Sequence, residues 1–296
     1  MDNMQIRPAR PEDGDIVLPF CQDTWEWGDY IDRVWDEWLV EQSGRLLTAT
    51  VNDRPVGIVN MRMVSETDAW LEGLRVDPSY RRQGIAHELC LAALAEAMRR
   101  GAMYARMAIE AENEPSIHTA EKIHMRQVAA FALYKAPPLT PREQSSFFGQ
   151  AQVSLATAVD LDDIIDYLNI SNVFPAVGGL YYVSFTAREI TESFLQEKIA
   201  SQQIYLLRRW DRIDGLAITE PRIERGEQRL SVGYIDGTMI ESISLIAHDL
   251  RHRLPVLGLD VVRIYAPDLV LVHDALGGLG YEGDSTIFYT FERGLE

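Results

Sequence analysis

The chain has 296 residues, of which 47% are hydrophobic and 25% are charged, and its formal net charge at pH 7 is -17. This length and apolar content suit two domains of ordinary size, while the negative charge, with no basic block to offset it, argues against nucleic acid as a partner because a phosphate backbone would be repelled. No apolar run reaches the roughly 18 residues of a membrane helix and no signal peptide is apparent, so we expect a cytoplasmic protein with no membrane partner.

The first half alternates strands and helices in the order expected of a mixed α/β (α+β) fold. Strand patterns cover residues 4–9, 45–51, 56–64, 69–76, 105–110 and 127–134. A helix start at 10–15 and helical periodicity over 29–42, 84–100 and 116–125 supply the helices. Residues 52–55 and 77–80 are predicted turns.

A proline-rich polar stretch at 135–144 is typical of a linker. We therefore predict two domains, 1–148 and 149–296. The second half repeats the order of the first, with strand patterns at 153–158, 203–208, 215–219, 230–235, 261–265 and 286–291 and helical patterns at 160–165, 240–257 and 269–276. A diverged internal duplication explains this order economically, although a coincidence of element order is the alternative.

The turn between the strand ending at Val76 and the helix starting near Gly84 is a predicted anion site. Backbone N–H groups at a helix N-terminus attract negative charge. Gly84 would let a phosphate approach the main chain, and Arg81 and Arg82 would add cationic donors. The small side chain of Ala86 would leave the next N–H accessible.

The motif Arg81-Arg82-Gln83-Gly84-Ile85-Ala86, preceded by Gly73-Leu74-Arg75-Val76-Asp77-Pro78, resembles the Q/R-x-x-G-x-G/A signature of the GCN5-related N-acetyltransferase (GNAT) superfamily. The resemblance extends over about residues 4–135. It implies two GNAT-like domains, each a twisted mixed sheet flanked by helices, and acetyl-CoA as cosubstrate. The implied coenzyme-binding residues are Leu74, Arg75, Val76, Arg81, Arg82, Gln83, Gly84, Ile85, Ala86 and Asn113, with main-chain groups of Leu74 and Val76 pairing with pantetheine.

An acceptor amine must lose a proton before it attacks a thioester, so a carboxylate near the acetyl group is expected. Glu72, on the strand leading to the turn, is the first candidate base, and Glu110, on the neighbouring strand, is the second. The family often carries a tyrosine that protonates the departing thiolate, but Ala120 stands at that position. Ser116 matches the N-x-x-S pattern of members that act on ribosomal-type N-termini and is our candidate acid; a helix N-cap is its alternative role.

An aromatic and acidic segment lies where family members usually line the acceptor cleft. The resemblance implies a substrate-binding role for Trp25, Trp27, Asp29 and Tyr30, although the two tryptophans could instead pack between helix and sheet. Residues 29–31, 38–39 and 72–76 also resemble the histidine N-acetyltransferase branch more narrowly.

The second half has Asp236-Gly237-Thr238-Met239-Ile240 where the coenzyme turn would stand, without an arginine, and resembles a degenerate GNAT repeat. Its histidines are too scattered to indicate a metal site. We therefore expect one N-acetyltransferase site per chain, moving acetyl from acetyl-CoA to a primary amine of a small molecule or peptide. The alternatives are a non-catalytic CoA-binding sensor or scaffold and an acyltransferase for a longer acyl group. The sequence carries no signal for an oligomeric state.

Overall fold

The computed structural model describes residues 4–22, 24, 28–140, 152–224 and 226–295. The chain forms two compact units, the first consisting of Met1–Gln127 with Thr290–Glu296 and the second of Val128–Tyr289. The predicted domain boundary at residue 148 lies outside the described residues. No helix in the described part of the chain is long and apolar enough to cross a bilayer.

The first unit holds an antiparallel ladder that ends in a parallel pair. Its strands are β1 (Met4–Pro8), β2 (Gly44–Val51), β3 (Arg54–Met63), β4 (Asp68–Val76) and β5 (Tyr104–Glu110), in the order β1-β2-β3-β4-β5. Its helices are α1 (Gly14–Cys21), α2 (Ile31–Val40), α3 (Ile85–Arg99) and α4 (Glu114–Lys122). Neighbouring strands from β1 to β4 are antiparallel, and β4 and β5 are parallel.

Helices cover both faces of this ladder. On one face α3 packs so closely that a Cβ on Gly57 would lie 3.1 Å from Leu89 and 3.3 Å from Ile85. On the other face α1 and α2 form a core with Ile58 of β3. The members of that core are Val17, Cys21, Ile31, Trp35, Trp38, Leu46 and Ile58. Side chains alternate along a strand, so Asn60 and Arg62 share the α1/α2 face with Ile58.

The second unit repeats this plan and adds a small hairpin. Its strands are β6 (Arg126–Ala136), β7 (Gln152–Leu155), β8 (Leu180–Val183), β9 (Thr186–Glu189), β10 (Ile204–Arg209), β11 (Arg212–Glu224), β12 (Glu227–Gly237), β13 (Val261–Pro267) and β14 (Glu282–Gly294), of which β6 and β14 begin or end in the first unit. Its helices are α5 (Leu161–Ile170), α6 (Val173–Ala176), α7 (Glu192–Ala200), α8 (Ile240–Leu257) and α9 (Val270–Gly277). The strand order is β6-β13-β12-β11-β10-β7, with β12 and β13 parallel.

The mixed α/β class is confirmed, and most predicted elements lie within a few residues of the observed ones. The helix predicted from residue 116 begins earlier, at Glu114, because Asn113 caps it. The hairpin β8–β9 and helix α7 were not predicted. Two aromatic residues of β8, Tyr181 and Tyr182, are buried, so they pack in the core of the second unit.

Candidate functional site

The parallel strands β4 and β5 pair over only a short stretch. Their register runs from Asp68↔Tyr104 to Trp70↔Arg106, although β4 continues to Val76 and β5 to Glu110. Past Trp70, among the described residues, no strand pairs with β4 on its β5 side. An extended chain entering this opening could bond to the backbone of β4 as an additional strand does.

A bulge in β4 accompanies this separation. The register with β3 shifts between Ile58↔Arg75 and Asn60↔Glu72, and Gly73 has a φ of +65°. A Cβ at Gly73 would lie 2.6 Å from the Trp38 ring, so both the backbone angle and the packing of α2 require glycine here.

Leu74 and Val76 direct backbone groups away from β3. The N–H of Asp77 donates to the carbonyl of Val56 at 2.9 Å, so Asp77 faces β3. Backbone direction alternates along a strand, which turns Val76 and Leu74 toward the β5 side. The carbonyl of Val76 accepts from Nε of Arg81 at 3.3 Å, and that of Leu74 accepts from Nη1 of Arg75 at 2.9 Å.

The turn after β4 leaves the start of α3 open. Asp77 accepts a hydrogen bond from the N–H of Ser79 at 2.9 Å, and a 3₁₀ turn over Pro78–Tyr80 follows. Gly84, with a φ of +81°, is the N-cap residue of α3, and no side chain caps that helix. The first N–H groups of a helix lack intrahelical acceptors, so those of α3 are available to an anion.

The turn is exposed, whereas the helix that follows it begins with a buried side chain. Arg81, Arg82, Gln83 and Gly84 are exposed, whereas the Ile85 side chain is buried and fixes the start of α3 in the core. Ala86 is half-buried. A Cβ built on Gly84 would meet nothing within 4 Å. The exposed turn therefore offers open space, cationic side chains and N–H donors to a phosphate group.

Glu72 lies immediately before the bulge, directly opposite Asn60. Its Oε1 accepts from Nε of Arg62 at 2.7 Å and from Nδ2 of Asn60 at 3.4 Å. Burial raises the pKa of Glu72 above its ordinary value, and the neighbouring Arg62 guanidinium reduces but does not cancel that rise. A raised pKa makes the Glu72 carboxylate a stronger base than an ordinary glutamate.

The chain matches a family model described as the acetyltransferase (GNAT) family over residues 15–125. The matched segment makes the first unit a GNAT-family domain. This match supports an acyl-transfer function and lies within the first unit. No curated protein is similar in sequence to the chain.

Solved structures share the GNAT fold over the whole length. A GCN5-related N-acetyltransferase from Sphaerobacter thermophilus aligns with 100% of this chain and 97% of its own, at a TM-score of 0.63 and 12% identity. A protein described as an acetyltransferase from Thermoplasma acidophilum aligns over 98% and 99% at a TM-score of 0.58 and 17% identity. A tandem GNAT protein from the clavulanic acid biosynthesis pathway aligns over 99% of each chain at a TM-score of 0.50 and 11% identity.

The GNAT segment after β5 places Asn113 and Ser116 at the start of α4. Asn113 is the N-cap, because its Oδ1 accepts the N–H of Ser116 at 3.2 Å. The alternative role of Ser116 as the N-cap is therefore wrong, and the residue is half-buried in the first turn of α4. Ala120, where the resemblance implies a tyrosine, is fully buried, and its methyl side chain cannot donate a proton. Glu110 ends β5 and is half-buried.

The segment before α2 is tied to β4 by an ion pair. Asp29 accepts two hydrogen bonds from Arg75, at 2.7 Å from Nε and 3.1 Å from Nη2. Burial alone would raise the pKa of Asp29, but the bonds from Arg75 hold that pKa below its ordinary value. Arg75 also lies over the Tyr30 ring, 5.5 Å from its centroid. The side chain of Arg75 therefore anchors this segment, while Trp25 and Trp27 lie outside the described residues.

Sequence reasoning missed Asn60 and Arg62, the two β3 residues that contact Glu72. A signal was present, since Asn60 interrupts the apolar run Val56-Gly57-Ile58-Val59 before Met61. A polar residue inside a buried strand needs a partner, and pairing 56–64 with 69–76 would have brought Asn60 near Glu72.

Proposed function

We propose that the first unit transfers the acetyl group of acetyl-CoA to a primary amine of a small molecule or peptide. The observation that carries this proposal is the open, cationic turn at the start of α3, placed at the end of the strand that carries a carboxyl group with a raised pKa. Such a turn suits a diphosphate, and the unpaired edge of β4 suits an extended pantetheine arm.

The residues present fit acetyl-CoA. The N–H groups at the start of α3 would hold the pyrophosphate, with Arg81 and Arg82 adding positive charge at the exposed turn. Backbone groups of Leu74 and Val76 would bond to the amides of pantetheine, after Arg81 and Arg75 release the carbonyls they now contact. Bound in this way, acetyl-CoA supplies an activated thioester.

Glu72 would act as the base. An acceptor amine is mostly an ammonium ion near neutral pH, and Glu72 takes one of its protons as the nitrogen attacks. The new nitrogen–carbon bond forms as the carbon–sulfur bond breaks, and a second proton from the nitrogen replaces the one that Ser116, or a water molecule, gives to the thiolate. The overall products are the acetylated amine, CoA as a thiol and one proton released to solvent.

Direct attack needs no acyl-enzyme. Burial raises the pKa of both Cys21 and Cys90 to about 12. Because the thiolate is the nucleophilic form of cysteine, neither residue is equipped to carry the acetyl group. This supports transfer from the thioester to the amine in one displacement.

Thiol release from acetyl-CoA in the presence of amino acids, spermidine, kanamycin and short peptides tests the proposal. We expect release with at least one amine, at a rate that rises with pH through the pKa of Glu72. Glu72→Gln should lower the rate by about 100-fold and flatten this rise, whereas Glu110→Gln should keep it. Loss of the rise in Glu110→Gln alone would transfer the role of base to Glu110.

Two experimental outcomes would contradict the proposal, and each would favour a different function. Coenzyme binding without thiol release for any amine would favour a non-catalytic sensor or scaffold, the role that the buried Ala120 at the family tyrosine position supports. Faster release from propionyl- or butyryl-CoA than from acetyl-CoA would assign a longer acyl group.

A further inference from the structure

Asn60 places an unpartnered acceptor beside the proposed base. Its side chain is fully buried in β3, and its Oδ1 has no hydrogen-bond partner among the described residues. Leaving a buried polar atom unpaired costs about 1–3 kcal/mol. Within the described part of the first unit, no other buried side-chain nitrogen or oxygen is in this position.

The orientation of the amide follows from its neighbour. Nδ2 of Asn60 donates to Oε1 of Glu72, which also accepts from Arg62. Reversing the amide would set an oxygen against the carboxylate, so the unpartnered atom is the oxygen. Because both amide atoms are bonded to one carbon, Oδ1 lies next to the Glu72 carboxyl group and on the same face of the sheet.

We infer that Asn60 positions the acceptor amine, its Oδ1 accepting an N–H of the nitrogen that Glu72 deprotonates, directly or through one water molecule. This inference rests on the proposed function. An ammonium group carries several N–H donors, so it can give one proton to Glu72 and still donate to Asn60. With the second N–H held, the lone pair exposed by deprotonation takes one direction, which aligns it for attack.

The arrangement also explains why an asparagine occupies a buried strand position. A hydrophobic side chain of the same size would pack there without an unpaired oxygen, and a carboxylate would set two negative charges side by side. The neutral amide oxygen of Asn60 can accept an N–H of the substrate without adding a charge, so Glu72 remains the group that titrates.

Kinetics of three variants test the inference, with L-histidine, spermidine, kanamycin and an alanine-initiated tripeptide as probe amines. Asn60→Leu keeps the volume and removes the acceptor, so kcat/KM for the best probe should fall about 10- to 100-fold, with the dissociation constant of acetyl-CoA unchanged. Asn60→Asp restores an acceptor oxygen but places charge beside Glu72, so its activity should exceed that of Asn60→Leu at high pH, with the rise in rate moved to higher pH.

Thr48→Val is the matched control. Thr48 is a fully buried polar residue of β2 whose hydroxyl donates to the Gly57 carbonyl at 3.0 Å, so its loss tests whether any buried polar deletion in this sheet lowers activity. We expect unchanged kcat/KM. Equal kcat/KM in wild type and Asn60→Leu, or equal losses in Asn60→Leu and Thr48→Val, would overturn the inference and leave the proposed function standing. Absence of thiol release by the wild type with every probe would overturn both.

Discussion

The two units share a strand–turn–helix backbone but carry different side chains on it. In the first, β4 has a bulge at Gly73 and its pairing with β5 ends at Trp70. In the second, β12 has a register shift at Gly233 and its pairing with β13 ends at Val232. Each bulge glycine is covered closely, Gly73 by the Trp38 ring and Gly233 by the Tyr182 carbonyl and Tyr181 ring.

The two units differ in the residue before the bulge and in the length of the turn that follows the bulged strand. Glu72 in the first unit corresponds to buried, aliphatic Val232 in the second. Eight residues, 77–84, connect β4 to α3, whereas two, Thr238 and Met239, connect β12 to α8. A two-residue connection has no room for the exposed arginines and glycine of an anion-binding turn.

The second unit also supplies its own carboxylate at the helix start. Asp214 accepts from the hydroxyl of Thr238 at 2.6 Å and from that of Ser242 at 2.7 Å. Asp236, the first residue of the segment that stands where the coenzyme turn would be, is a buried strand residue that accepts from the hydroxyls of Ser171 and Tyr234. The two units therefore share a fold and differ in the chemistry of the turn, which is where we propose that the coenzyme binds in the first unit.

The largest expected effect is at the turn itself. Gly84→Glu forces a left-handed backbone angle on a side chain and adds negative charge where we place the pyrophosphate, so acetyl-CoA affinity should fall at least about 100-fold. Calorimetry measures the loss of affinity. Gly101→Glu is the control, because Gly101 also has a positive φ and an open Cβ direction at the other end of α3. A comparable loss of affinity in Gly101→Glu would show that the effect of Gly84→Glu is not specific to the turn.

The next effect concerns the carboxyl group that the second unit lacks. Arg62→Leu removes the cation that opposes the raised pKa of Glu72. That pKa should rise further, and the rise of rate with pH should move about one unit or more to higher pH, lowering the rate roughly tenfold at a fixed pH below it. Arg45→Leu, which removes a more exposed arginine from β2, should leave the profile in place. A profile that does not move in Arg62→Leu contradicts the assignment of Glu72.

The smallest expected effect is the loss of acetyl-CoA affinity on removing either arginine of the turn, and it should differ between the two. Arg82→Ala should weaken acetyl-CoA binding by about three- to fivefold, since an exposed ion pair contributes less than about 1 kcal/mol. Arg81→Ala should cost less, because it also frees the Val76 carbonyl. Both effects should fade in high salt, and a salt-independent loss would show that the arginines act through structure rather than charge.

Local patterns predicted the fold class and the turn because each depends on neighbouring residues. The periodicity of residues 240–257 predicted α8 with its observed bounds, and Arg81 to Ala86 identified the turn. The pair Asp29–Arg75 joins residues 46 positions apart, and the pair Arg62–Glu72 depends on the register between β3 and β4, so neither follows from the pattern of one segment. The β8–β9 hairpin could not be predicted, because its strands have four residues each, too few to show the alternation of polar and apolar side chains typical of a strand.

The number of acetyl-CoA molecules bound per chain tests the central claim most directly. Titration calorimetry of the full chain should give one site, with that site lost in Gly84→Glu and kept in Asp214→Asn, which removes the carboxylate at the start of α8. Two sites per chain, or tight binding retained in Gly84→Glu, would contradict the claim that the first unit alone holds the coenzyme.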